Sequence, residues 1–273
     1  MGEWAVVLFT VLSQMAVGAF VTLWVLDRRT KKIGQKLGAF VSKGIVLITG
    51  IGLAVSTGHL GHPMEAYRAL SHIGTSWLSA EILLFGIFFA LTLVYGYQWH
   101  QGMERKFIGE VGSVIALLAV VSSGMIYVLP ARPAWNNIGP ILFFLLTAAT
   151  LGPLFISALF KMKNYQLGKN LYIFEGAVLV VGLTNFLLYL SMLMSMGDVG
   201  ALTGKNMIMS GFFWPRLLVG WLVPMSIIAY TGLQKEWNIS RWIVALFVLT
   251  FIGELLGRGM FYSSVTALTM FGF

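Results

Sequence analysis

Apolar positions in this chain fall into long unbroken runs rather than into alternating or every-third-residue patterns. Runs of about 20 residues, the length a helix needs to cross a bilayer core at ~1.5 Å per residue, recur near 5–26, 38–56, 78–99, 107–129, 139–160, 171–194, 213–233 and 242–262. The period-two alternation of a membrane barrel is absent, and an isolated span must satisfy its own backbone hydrogen bonds, which selects helices. The pattern predicts an all-α integral membrane protein with eight transmembrane helices in a single polytopic domain over 1–273. A division into two four-helix bundles, about 1–130 and 139–273, is compatible with the spacing but not required by it, and no internal repeat is evident.

Composition excludes the soluble alternative. Apolar residues make up 58% of the sequence and charged residues 10%, against roughly 45–50% and about 25% in ordinary globular domains. Too few charges remain to coat a water-facing surface. The 31 glycines suit helices that approach closely in lipid. With no cysteine the protein can neither build a disulfide nor ligate an iron–sulfur cluster of its own. Its net charge of +8 belongs to membrane topology and not to nucleic-acid binding.

The basic residues are distributed unevenly. Loops after the first, third, fifth and seventh runs carry Arg28, Arg29, Lys31, Lys32, Lys36, Arg105, Lys106, Lys161, Lys163, Lys169, Lys235 and Arg241, whereas the opposite loops carry Arg68, Arg132, Lys205 and Arg216. The positive-inside rule assigns the first set to the cytoplasm and both termini to the outer, periplasmic side of the cytoplasmic membrane. The first run has Glu3 before it, its basic residues after it and no small-residue cleavage site, so it is expected to stay as a span. The outer loops at 61–77, 130–139 and 195–212 are rich in Gly, Pro, Trp and Asn, and stretches such as Pro130-Ala131-Arg132-Pro133 are stiffened by proline. They serve equally well as a docking surface or as ordinary interfacial loops.

Ionisable residues at membrane depth need an account, because each costs several kcal/mol unless paired or hydrated. Lys43 is placed to snorkel, and Glu110 and Glu175 fall near cytoplasmic helix starts, where the dipole favours an anion. Glu81 lies one turn into the third span. Glu254 and Arg258 lie about 20 and 25 Å along the last helix from Arg241 at ~1.5 Å per residue, in its outer half, spaced i, i+4 so as to permit an intrahelical ion pair. His59 ends the second span at the same level. Two carboxylates, an imidazole and a guanidinium thus converge in depth from three helices, forming either a structural ion-pair network or a pocket.

The four histidines, His59, His62, His72 and His100, provide no opposed pair at a depth suited to bis-histidine haem. His59, His62 and His72 lack the spacing of a zinc site. A neutral imidazole beside a carboxylate at the bilayer edge does suit acceptance of protons from a lipid-soluble quinol.

Three blocks carry a resemblance. Gly58-His59-Leu60-Gly61-His62-Pro63-Met64-Glu65-Ala66, then Leu78-Ser79-Ala80-Glu81-Ile82, then Gly253-Glu254-Leu255-Leu256-Gly257-Arg258-Gly259-Met260-Phe261-Tyr262 together resemble the membrane-anchor subunit of anaerobic dimethyl sulfoxide reductases. Length, span count and motif order agree, as does the start with Glu3-Trp4, Phe9-Thr10 and Gln14. The resemblance implies a haem-free anchor without a metal site that oxidises menaquinol and passes electrons to a four-cluster iron–sulfur subunit and on to a molybdopterin catalytic subunit, both docked on the outer face. It ties His59 and Glu81 to quinol binding and maps the last block onto Glu254 and Arg258. Tyr67 and Arg68, in the loop after His59, are further candidate contacts. Glu65 and His72 stand where the family has basic residues. The alternatives are a quinone-linked anchor of a polysulfide, tetrathionate or arsenate reductase, a quinone-reducing enzyme, or a secondary transporter built on Glu81, Glu254 and Arg258.

Overall fold

Helix α1, Gly2–Thr30, forms the centre of the molecule. Residues pointing every way around it are buried, among them Val11, Ala16, Val17, Ala19, Phe20 and Leu23, as expected of a helix apolar on all sides. The computed structural model describes residues 2–30, 33–57, 71–234 and 239–268, and every regular element among them is helical. After α1 come α2 Gln35–Thr57, α3 Trp77–Gln101, α4 Lys106–Met125, α5 Gly139–Met162, α6 Lys169–Ser195, α7 Gly197–Met209, α8 Phe213–Leu217, α9 Val223–Gly232 and α10 Ile243–Ser263. A π turn, Leu218–Leu222, joins α8 to α9, and a 3₁₀ turn, Ile239–Trp242, leads into α10. Eight of the described helical segments are long and apolar enough to cross a membrane.

Lipid supplies no hydrophobic drive between helices, so close packing holds them together, and small residues mark where backbones meet. On α1 a Cβ built on Gly18 would lie 1.8 Å from the Ala148 carbonyl oxygen of α5, and one on Gly152 would lie 2.1 Å from the Gly18 carbonyl carbon. No side chain fits at either position. Helix α1 also packs against α2, α4 and α10, and α3 pairs with α2 and α4. A second apolar cluster, with Leu179, Phe186, Trp221 and Leu246, fills the space among α6, α8, α9 and α10.

The stretch 195–212, expected to be a loop, instead contains α7. Gly197, at φ +74°, turns the backbone out of α6, and Gly200, Thr203, Gly204 and Met207 form a buried helical face. Its small residues conceal it from a hydropathy search.

Contacts define the two ends of the bundle. At one, Trp4 meets Phe212 edge-on with centroids 6.2 Å apart, the Leu268 N–H donates to the Ala131 carbonyl, and Asn206 Nδ2 donates to the Ser264 carbonyl. Trp135 stacks on Phe261 at 5.0 Å and meets Tyr127 at 5.1 Å, while Tyr189 donates to the Ala134 carbonyl at 2.7 Å. The proline-stiffened loop at 130–139 is thereby clamped over the end of α10. At the other end Arg105 forks onto Asp27, with N–O distances of 2.9 and 2.7 Å, and Lys161 donates to Ser240.

Candidate functional site

Glu81 is the fifth residue of α3 and 7% exposed, turned onto α4, where the Ser123 hydroxyl donates to its carboxylate. Ser123 belongs to a small-residue run, Ser122-Ser123-Gly124, that is buried throughout. Gly124 lets α4 approach α5, since a Cβ there would lie 2.7 Å from Ile141 Cα. The close approach and the hydroxyl that meets Glu81 therefore come from one local sequence.

A larger polar cluster is built on α10. Gly253 and Gly257, four apart, clear a face of that helix. A Cβ on Gly253 would lie 2.2 Å from Gly220 Cα in the π turn, and one on Gly257 would lie 2.8 Å from Arg216 Nε. Arg216 lies in the slot so formed, beside Glu254 and Arg258. Its Nη2 donates to Glu254 Oε1 at 2.7 Å, and its guanidinium lies 3.9 Å over the Trp221 ring. Thr147 of α5 donates to Glu254 Oε2 at 2.6 Å. Arg258 Nη2 donates to Gln14 Oε1 of α1 at 2.7 Å and to Thr147 Oγ1 at 3.2 Å, and the guanidinium lies 3.7 Å over the Phe144 ring. The Thr147 hydroxyl accepts from Arg258, and its single proton is within reach of both Glu254 Oε2 and the Phe143 carbonyl, the latter at 2.9 Å. One network of hydrogen bonds thus ties α1, α5, α8 and α10.

This corrects the intrahelical pair expected from the i, i+4 spacing. Glu254 takes its ion pair from α8, and Arg258 turns to α1 and α5. A residue on another helix can meet the carboxylate end-on, while an i, i+4 neighbour reaches it only along the helix surface. Arg216 also leaves the loop set: it is buried inside α8, on the span that begins at Phe213.

The cluster borders a cavity of about 570 Å³, counting its open mouth, walled by Phe143, Phe186, Trp221 and Phe261 and reached by Thr147, Arg216, Glu254 and Arg258. Arg216 Nη1, Arg258 Nε and Gln14 Nε2 are buried and donate to no protein acceptor. Two guanidiniums and one carboxylate leave an excess of positive charge. The cavity's aromatic walls with a few directed donors suit a planar ring bearing oxygen functions.

Glu81 does not line that cavity. Between them stand Tyr262 and Tyr127, whose hydroxyls are 3.0 Å apart and which lie within electrostatic range of both Glu81 and Arg258. Glu175, on the α6 face that continues to Gly182 and Phe186, is 1% exposed with neither oxygen hydrogen-bonded. It stands in the second turn of its helix, beyond the reach of a cap, so its helix-start position does not explain it. His59, Tyr67, Arg68 and His62 lie outside the described residues. Among the described residues no three His, Asp or Glu side chains gather to hold a metal.

Arg216, Thr147 and Gln14 complete the α10 cluster and Ser123 partners Glu81, and residue type alone did not single them out. Some signal was present: Arg216 lies three residues inside a predicted span, and the Gly253/Gly257 pair marks the face on which it lies.

Comparison with known proteins adds the decisive observation. Residues 1–264 match the DMSO reductase anchor subunit (DmsC) family. The chain belongs to that family. Two proteins of Escherichia coli K12, the anaerobic dimethyl sulfoxide reductase chain YnfH and a second anaerobic dimethyl sulfoxide reductase chain, are each 27% identical to it over 95% of its length and 94% of theirs. A sulfite dehydrogenase subunit of Allochromatium vinosum is 33% identical over 30% of this protein and 29% of its own length. As a DMSO reductase anchor subunit, the protein spans the membrane several times and is the non-catalytic, anchoring member of an oxidoreductase complex of anaerobic respiration.

Proposed function

We propose that this anchor subunit binds menaquinol near the outer face of the cytoplasmic membrane, oxidises it to menaquinone, and passes the two electrons to a four-cluster iron–sulfur subunit. That subunit feeds a molybdopterin catalytic subunit reducing dimethyl sulfoxide or a related acceptor. What supports this most is the aromatic-walled cavity bordered by Glu254 and Arg258, two of the residues the sequence singles out. Arg216 and Arg258 present the donors a quinone oxygen needs, and Phe143, Phe186, Trp221 and Phe261 give a ring its apolar contacts. Glu81 and His59 take the two protons, with the Tyr127–Tyr262 hydroxyl pair between cavity and carboxylate. Tyr67 and Arg68 close the site from the loop after His59.

The bias of basic residues supports this orientation, with both termini outside and the clamped loop at 130–139 at the outer end. With no cysteine of its own to ligate a cluster, the protein hands the electrons to a partner's cluster, docked on the outer loops. The partial likeness to a sulfite dehydrogenase subunit favours, as a second reading, the same site run in reverse, reducing quinone with electrons from the partner.

The complex purified in mild detergent should hold molybdenum or tungsten and many irons, with no haem absorbance. In it, His59→Ala should leave dye-driven reductase activity intact and abolish quinol-driven turnover. Normal quinol turnover in that variant would overturn the assignment. Quinone reduction without quinol oxidation would establish the reverse direction.

A further inference from the structure

Lys43 stands eight residues beyond the start of α2, ~12 Å along the helix at ~1.5 Å per residue, on a face exposed to the surroundings. Among the described residues it has no hydrogen-bond or ion-pair partner. Snorkelling accounts for an ammonium drawn toward the headgroup layer. It does not account for the groove beneath it. Between α2 and α3 the surface is hollowed to about 770 Å³, counting the open side, and is lined by Lys43, Val46, Leu47, Leu93, Tyr97 and His100. Gly96 contributes to the hollow: a side chain there would stand against Val46 and Ser42. The mouth is held in shape by Gln35, whose Nε2 donates to the His100 carbonyl at 2.8 Å.

The lining is graded along its length. At the mouth it presents an ammonium, an imidazole and a phenol, and further in only aliphatic side chains, with Leu47 63% and Leu93 47% exposed. That is the grading of a lipid molecule, from phosphate to acyl tail. Among the described residues Lys43 is the only one of fixed charge lining the groove, which is matched by one negative charge. A zwitterionic lipid carries its own cation and offers no such match. Basic grooves between transmembrane helices at headgroup depth recognise anionic headgroups on these terms.

We propose that the groove between α2 and α3 binds an anionic phospholipid, its phosphate on Lys43 with Tyr97 and His100 as donors and its acyl tail over Gly96, Leu93 and Leu47. The site is separate from the quinol cavity and independent of how that cavity is used.

The test is native mass spectrometry of the purified complex titrated with phosphatidylglycerol or phosphatidylcholine. The wild-type complex should retain phosphatidylglycerol against excess phosphatidylcholine. Lys43→Gln should weaken phosphatidylglycerol binding about fivefold, the ~1 kcal/mol of one basic residue near a headgroup, and Lys43→Arg should restore it. Gly96→Leu, which fills the groove without altering charge, should lower retention of the lipid by at least as much. Lys43 faces outward, and a Cβ on the half-buried Gly96 would meet Val46 and Ser42 no closer than 3.6 Å, so both variants should assemble normally. Equal binding of the two lipids by the wild type overturns the proposal, as does unchanged phosphatidylglycerol binding in either Lys43→Gln or Gly96→Leu.

Discussion

Replacing Glu254 with glutamine tests the charge balance of the α10 cluster. Glutamine keeps the shape and can still accept from Thr147, but it removes the only anion between Arg216 and Arg258. The two guanidiniums, 7% and 4% exposed, are within electrostatic range of one another and would face each other uncompensated. Removing one member of a buried pair costs about 3–5 kcal/mol, and at roughly 2 °C per kcal/mol for a protein of this size the apparent Tm of the complex should fall by about 6–10 °C. Arg216→Met should cost less than half as much. It leaves Glu254 one helical turn from Arg258, which can swing back to pair with it, and methionine keeps an apolar contact with Trp221. The double variant should be more stable than Glu254→Gln alone, because removing Arg216 relieves the repulsion that the first substitution creates. Intrinsic tryptophan fluorescence on heating, in mild detergent, ranks the three. If Arg216→Met matches or exceeds Glu254→Gln, or the double variant is the least stable, the excess of positive charge does not govern this cluster.

Two further outcomes follow from the packing. Gly152→Leu should prevent α1 and α5 from meeting, since even a Cβ there would lie 2.1 Å from the Gly18 backbone; loss of assembled complex on size-exclusion chromatography checks it, and a normal elution profile would contradict the contact. Ser123→Ala should leave the Glu81 carboxylate without its hydroxyl and lower quinol-driven turnover by about 10–100-fold, the value of ~1.5–3 kcal/mol for a hydrogen bond to a charged group. Ser123→Thr should recover most of that rate, and steady-state kinetics with quinol and with a dye donor separates this effect from misfolding.

Much of the fold is written in hydropathy. The eight spans are legible because crossing lipid demands ~20 apolar residues whatever the tertiary structure. Helix α7 was not legible, because glycine and threonine bury a helical face without raising hydropathy. The site was legible in part for a related reason. A charged residue inside an apolar run stands out alone, so Glu81, Glu254 and Arg258 could be named, but its partner cannot be named without knowing which helices touch. The i, i+4 rule offered Arg258 to Glu254, and the glycine slot on α10 supplied Arg216 instead. Hydroxyl partners such as Ser123 and Thr147 leave no mark at all, since serine and threonine are common in spans and satisfy themselves on the preceding turn.

The central claim is that quinol is oxidised within this protein, with Glu81 taking part in the proton transfer. Its most direct test is the complex carrying Glu81→Gln, assayed side by side with menaquinol and with a reduced dye as electron donor. Glutamine preserves the size of the side chain and its contact with Ser123 but cannot take a proton. The expected result is a fall of at least 100-fold in the quinol-driven rate with the dye-driven rate unchanged. An unaltered quinol-driven rate, or an equal fall with both donors, would contradict it.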